Sequence, residues 1–206
     1  DVYKRQAGTC VVNVTAASTT DYLQGSASFT LTINPKNITV TAKGDSYTYG
    51  DVVHGDKGYV AVGLVGSDTL SSITCTTSYV QGHGVSSSDT TSCSQSDGAN
   101  ANYSITFVPG AVAISPQAIN VTAKPDSYVY GATKHGDKGY TNDATYGAGT
   151  LVISCTTTYA AGHGVGTADT TYCTQTLNAN PNFEIAFSTG TVTISPRHVS
   201  VTADNA

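Results

Sequence analysis

The chain contains no methionine and no tryptophan, only six leucines, and one glutamate, Glu184, in 206 residues. These shortages remove much of the set from which stable helices are built, and they exclude a helical bundle or a coiled coil. Charged residues make up 11% of the chain, against about a quarter in an ordinary globular domain. The net charge of −5 is scattered in sign. No basic stripe is present to neutralise phosphates, so a nucleic-acid partner is not expected. No apolar run approaches the length that a membrane span needs. No C-x-x-C pair exists, so the tight spacing of a structural zinc site is missing. Threonine, valine, tyrosine and isoleucine are plentiful instead, and serine and threonine together form about a quarter of the chain. Such residues suit pleated, half-buried strands with a hydroxyl-rich surface.

The chain also repeats itself. KNITVTAKGDSYTYG at 36–50 returns as QAINVTAKPDSYVYG at 117–131, and HGDKGY at 54–59 returns at 135–140. CTTSYVQGHGV at 75–85 matches CTTTYAAGHGV at 155–165, and ANANYSITFVPGAVAISP at 99–116 matches ANPNFEIAFSTGTVTISP at 179–196. One residue has been lost between the copies near 69–73. Self-similarity of this kind is the signature of a repeat architecture. It divides the chain into a partial repeat at 1–35, complete repeats at 36–116 and 117–196, and the start of another at 197–206. The opening DVYKRQ (1–6) matches nothing later and reads as a non-native end. Pro35, Pro116 and Pro196 mark the junctions, which a fixed φ should keep stiff.

Within each copy, apolar residues alternate with polar ones. Ile38, Val40 and Ala42 share one parity, and so do Tyr103, Ile105 and Phe107; Val112 and Ile114 form a last short strand. Period-two patterning with regular turn signals predicts an all-β, strand-dominated chain. We therefore expect tandem β domains of about 80 residues joined end to end, each a β-sandwich or β-grasp-like unit. A single helical turn is expected at SDTLSS (67–72), capped by Ser67 or Asp68.

The order VTAK-x-DS-Y-x-YG, a GY turn, a TL pair and N-Y-x-I-x-F-x-x-G-x-V-x-I-x-P resembles the MBG repeats of bacterial surface and secreted adhesins, in the type named for its YG motif. Val40–Lys43, Tyr47, Tyr49–Gly50, Thr69–Leu70 and Asn102–Pro116 carry the resemblance. Val121–Lys124, Tyr128, Tyr130–Gly131, Thr150–Leu151 and Asn182–Pro196 carry it again. The resemblance implies tandem arrays outside the cell and no catalytic residues. The cysteines depart from the usual pattern.

Cys75 and Cys93 recur as Cys155 and Cys173, each pair 18 residues apart. One pair per copy reads as one disulfide within each repeat. Cys10 stands where the second cysteine of a truncated copy would be, with its partner upstream. Disulfides imply an oxidising, extracellular setting. A loop of this length stabilises by about 3 kcal/mol on the loop-entropy estimate, which matters to a domain with a thin core.

HGDKGY can be read as catalytic, metal-binding or structural. Catalysis would need a nucleophile and an oriented base, and the hexamer has no Ser, Cys or Thr. His54 and Asp56 are only two ligands unless Asp45 or His83 joins them, below the three or four a transition metal needs. As a turn the reading is direct: Gly55 and Gly58 permit positive φ, Asp56 bonds the backbone that follows, and Tyr59 starts the next strand. GHGV at 82–85 and 162–165 reads likewise as a turn inside the disulfide loop. Tyr47/Tyr49 and Tyr128/Tyr130 share a parity; a packing stripe is favoured over an exposed ladder for sugar rings. The sequons at Asn13, Asn37, Asn102 and Asn120 are glycosylation candidates, the last three expected on the outward parity of their strands.

Together these features predict an extracellular or cell-surface structural protein that forms a stalk or filament with an adhesive or matrix role. The alternative is a carbohydrate- or surface-binding adhesin module with one ligand site per repeat. No enzyme activity, catalytic residue, metal or cofactor is expected. The partners expected are neighbouring repeats or copies of the chain itself in a fibre, and glycans or cell surfaces. Such a fibre could run as one continuous chain, the favoured route, or as subunits that exchange strands.

Overall fold

A computed structural model describes residues 6–204 of the chain. The expectation of an all-β protein holds: sixteen strands are described, with one three-residue 3-10 turn at Ala148–Thr150. The helical turn expected at 67–72 does not form. Asp68 is drawn away from any capping role because Tyr103 Oη donates to its carboxylate at 2.5 Å, while its own N–H donates to Val65 O.

A hairpin of β1 (Gly8–Ala16) and β2 (Gly25–Ile33) comes first, and its side chains are almost all exposed. The stretch 36–115 then forms β3 (Lys36–Ala42), β4 (Asp45–Thr48), β5 (Tyr59–Val62), β6 (Ile73–Thr77), β7 (Thr90–Gln95), β8 (Tyr103–Val108) and β9 (Gly110–Ser115). The stretch 117–195 repeats the order as β10 (Gln117–Ala123), β11 (Asp126–Val129), β12 (Tyr140–Asn142), β13 (Ser154–Thr157), β14 (Thr170–Thr174), β15 (Phe183–Ser188) and β16 (Gly190–Ser195). Each stretch makes one three-stranded and one four-stranded sheet. The orders are β5-β3-β8 with β4-β9-β7-β6, and β12-β10-β15 with β11-β16-β14-β13.

The topology turns on corners. β10 runs parallel to β15, and β11 runs parallel to β16. The chain therefore switches sheets twice at one place, at Lys124–Pro125 and again at Thr189. A Cβ on Gly190 would overlap Ala123 O and Thr171 Oγ1, so glycine alone lets the two crossings approach. Buried Thr171 ties them by donating to Lys124 O at 2.8 Å. In the first stretch Thr91 donates to Lys43 O at 2.7 Å, and Gly110 lies against Ala42 O and Thr91 Oγ1 in the same way.

The alternating residues build the cores. Val40 and Ala42 pack with Cys75 and Cys93, flanked by Tyr59, Ala61, Ile105 and Phe107. Ile119, Val121 and Ala123 pack with Cys155, Cys173 and Phe183. Sheets facing across such layers form a sandwich; the helix of a β-grasp arrangement is absent among the described residues. Two compact units result. One takes in the chain up to Asp45 with Val53–Tyr79 and Ser88–Val112. The other joins Ser46–Val52 and Val80–Ser87 to the chain from Ala113 on. Most of β4 with the turn after it, and the loop at Val80–Ser87, thus belong to the unit that holds the second copy.

Candidate functional site

The HGDKGY loop uses each of its charged side chains to hold the fold. His54 Nδ1 lies 3.1 Å from both oxygens of Asp45, and Lys57 Nζ lies 3.6 Å from one of them. Asp45 begins β4 just past the corner, and its side chain is only 6% exposed. Burying a carboxylate is costly unless it is paired; the loop supplies its partners. Asp56 accepts from Gly58 N–H at 2.6 Å and from Cys75 N–H at 3.1 Å, so the turn is fastened to β6. β6 is the edge of its sheet, where an uncovered amide invites pairing by other chains. Gly58 has φ +76°, but Gly55 does not adopt a positive φ, so one of the two glycines is needed for its conformational freedom.

The second copy repeats this brace. His135 Nδ1 lies 2.9 and 3.0 Å from the Asp126 oxygens, and Lys138 Nζ lies 3.7 Å away. Asp137 accepts from Gly139 N–H and Cys155 N–H. Burial pushes the Asp126 carboxyl up, but hydrogen bonds from His135, Tyr128 and Ser127 N–H outweigh it and hold the group below the usual range. Tyr128 stacks on His135 on one side and on Tyr159 on the other, at 4.3 and 3.7 Å. The GHGV histidine closes the far end of the stack. His163 Nδ1 lies 3.0 and 2.9 Å from the buried Asp169 carboxylate, which also accepts from Thr158 Oγ1. Burial raises the Asp169 carboxyl, and these partners bring it below the usual range. Both histidine turns thus serve buried aspartates. Among the described residues no three His, Cys, Asp or Glu side chains converge on a metal-sized centre.

Cys75 is bonded to Cys93 and Cys155 to Cys173, each pair directly opposite across an antiparallel pair of strands with Cα atoms 4.0 Å apart. Cys10 is free and exposed. Beside the first bridge lies a cleft of about 340 Å³, walled by Lys43, Val53, His54, Lys57, Thr77 and Thr91 among others. The matching cleft in the second copy shrinks to about 10 Å³. Lys134 stands there in place of Val53, and its Nζ donates to Thr157 O at 2.6 Å.

The unit that joins both copies contains a second built feature: the tyrosine parity pointed to packing there, and GHGV read only as a turn. Tyr49, 7% exposed, packs edge-on against Tyr146 and Phe183 with ring centroids 5.4 and 5.3 Å apart. Its backbone N–H donates to Ser115 O, and its carbonyl accepts from Gln117 Nε2. A Cβ on Gly50 or Gly82 would overlap Tyr146, and one on Gly84 would overlap the Asn182 amide. Val85 N–H donates to Asn182 Oδ1 at 3.0 Å. The glycines of YG and GHG are therefore spaces that Tyr146 and Asn182 of the 117–195 stretch fill. The hints in the sequence are the shared parity of Tyr47 and Tyr49, read as a packing stripe, and the recurrence of YG and GHGV.

Of the tyrosine stripe, Tyr47, Tyr49 and Tyr128 are buried, whereas Tyr130 is 48% exposed. Asn13, Asn37 and Asn120 are exposed, and Asn120 Nδ2 donates to Asp143, whose carboxyl Asn120 holds below the usual range. Asn102 departs from the outward placement expected of it. It precedes β8 and is half-buried, because its Oδ1 accepts from Ala7 N–H at 2.7 Å and its carbonyl from Lys36 N–H.

Residues 38–113 match the MBG domain (YGX type). That span runs from β3 into β9 and takes in the corner, the HGDKGY loop and the first disulfide. No curated protein is similar enough to the chain to count as a relative. Among the described residues no helix is long and apolar enough to cross a membrane.

Proposed function

We propose that this chain is part of an extracellular structural repeat protein that builds a stalk or filament on or outside a microbial cell, in an adhesive or matrix role. The MBG-domain match over 38–113 supports a surface-associated, repeat-type domain. The observation that carries the structural role is the joint at Tyr49. Conserving space with three glycines and filling it with Tyr146 and Asn182 makes sense where load passes from one repeat to the next. One disulfide per copy, directly across a strand pair, fits an oxidising location and resists extension of each sheet. No catalytic step belongs to this reading: the histidines and lysines of the repeated loop pair with Asp45 and Asp126, and its aspartates bond backbone N–H groups. Neighbouring repeats or copies of the chain are its partners, and glycans at Asn37 fit an exposed strand position.

Antibody labelling of unpermeabilised source cells, with thiol blocking before lysis, tests the proposal. Surface label on protein whose Cys75–Cys93 and Cys155–Cys173 bridges are intact is the expected result. Label confined to the cytosol, on reduced protein, refutes it. The alternative of one ligand site per repeat predicts equal sites in both copies, and the unequal clefts beside the two disulfides weigh against it.

A further inference from the structure

The two copies of the HGDKGY brace differ at one residue beside the sheet edge they cover. Cys75 stands opposite Cys93 and Thr77 opposite Thr91 in the β6–β7 ladder, and Ser78 N–H donates to Thr90 O. Hydrogen-bonded and non-hydrogen-bonded pairs alternate along antiparallel strands. The backbone groups of Cys75 and Thr77 therefore point away from β7, out of the edge. Asp56 takes the Cys75 N–H. The β13–β14 ladder has the same register, and there Asp137 takes the Cys155 N–H while Lys134 Nζ takes the Thr157 carbonyl at 2.6 Å. In the first copy the lysine is replaced by Val53, which has no donor to offer Thr77 O. Thr157 is 5% exposed, whereas Thr77 is only half-buried. The cleft of about 340 Å³ that Val53 and Thr77 line has shrunk to about 10 Å³ in the copy that carries the lysine.

We propose that the first-copy cleft is a receptor for a primary ammonium on an unbranched carbon stem, namely a lysine side chain presented by another polypeptide. The second copy shows the occupant, because Lys134 is that ligand carried on the chain itself. An ammonium has three donors and no acceptor, which suits a carbonyl on an open edge, and the stem would lie along Val53. The charges around the cleft permit this. Lys43, Lys57 and His54 line it, but the second copy has Lys124, Lys138 and His135 at the same places and still holds its ammonium. Asp45 and Asp56 line the cleft as well and offset the lysines, so an anion is the less suitable guest. One copy is thus closed by its own side chain and the other is open, which gives one site in the two copies rather than one in each. Binding at this cleft is independent of whether the chain builds a fibre.

Amide NMR of the whole chain, titrated with Nα-acetyl-lysine N-methylamide, with 1,5-diaminopentane and with inorganic phosphate at constant ionic strength, provides the test. Shifts at the Gly58, Thr77 and Ser78 amides should saturate with the lysine derivative, half-way at about 1–10 mM, as one charged hydrogen bond and a short stem allow. Val53→Lys should weaken this binding by about tenfold or more, because the cleft then holds its own ammonium. Lys134→Val should open a second site, seen as matching shifts at Thr157 and Thr158. Each exchange installs the other copy's residue at an exposed loop position, and unchanged shifts elsewhere would show that the fold persists. The absence of a saturable shift in the wild-type chain, saturation by phosphate in place of the amines, or undiminished binding to Val53→Lys overturns the proposal. A site that takes the diamine but not the lysine derivative overturns a polypeptide as the source of the ammonium. A chain that binds the lysine derivative but is confined to the cytosol would overturn the structural role and leave the cleft's chemistry standing.

Discussion

Tyr49 and Tyr130 form an internal control, because the two share sequence context and backbone hydrogen bonding and differ in what covers them. Replacing each in turn with alanine should therefore separate the energy of the joint from the energy of the fold. Tyr49 is 93% removed from solvent, in contact with two rings at 5.4 and 5.3 Å. Truncating a large buried aromatic costs about 3–5 kcal/mol, and each edge-on ring contact contributes about 0.5–1.5 kcal/mol of this beyond area. Tyr130 is half-exposed, so its truncation should cost about 1 kcal/mol or less. Urea unfolding followed by tyrosine fluorescence would measure both, and chain dilution would keep any association out of the comparison. The Tyr49 variant should also lose its coupling to Phe183 in a double-mutant cycle, with an interaction energy of about 0.5 kcal/mol or more. Equal losses for Tyr49→Ala and Tyr130→Ala would refute the claim that the joint is an energetic unit.

Further outcomes follow from the same geometry. Gly84→Ala should destabilise by about 1–3 kcal/mol, the cost of overpacking, because its methyl meets the Asn182 amide; Gly164→Ala should be neutral by the same denaturation assay. Replacing Cys155 and Cys173 with serine should lower stability by about 3 kcal/mol, and mass mapping without reductant should recover Cys75–Cys93 and Cys155–Cys173 but no link between copies. Asp126 and Asp169 are held below the usual carboxylate range in the fold, so the unfolded chain takes up their protons first. Their contribution is complete above about pH 5 and is lost as the pH falls through the carboxylate range. An acid titration by circular dichroism should show this loss, and Asp126→Asn should flatten it; stability that rises on acidification would contradict the assignment. In a glycosylating host, glycopeptide mapping should show sugar on Asn37 before Asn102, whose amide oxygen is engaged by Ala7 N–H.

Much of the fold could be read in the sequence because strand parity is a local signal. Ile38, Val40 and Ala42 point inward as their alternation requires, and the cysteines pair within copies because each pair stands opposite in one strand ladder. The HGDKGY turn was legible from Asp56 and Gly58, but its purpose was not. That depends on Asp45 being buried and on β6 being an edge, both facts of topology. The parallel pairing of β3 with β8 was equally hidden, because alternation says which face is buried and nothing about the neighbouring strand. The expected turn of helix at 67–72 failed through a long-range competitor, Tyr103, for the Asp68 side chain. The joint was the least legible feature. Gly82 and Gly84 look like ordinary turn glycines until Tyr146 and Asn182 are set against them, and Tyr49 and Tyr130 share the SY-x-YG motif.

Electron microscopy of material shed or sheared from the source cells tests the structural role most directly. The account predicts fibres labelled along their length by antibody to this chain, with an axial repeat that corresponds to one or two copies of the 36–116 unit. Labelled protein recovered only as compact single-chain particles, with no fibres, would contradict it.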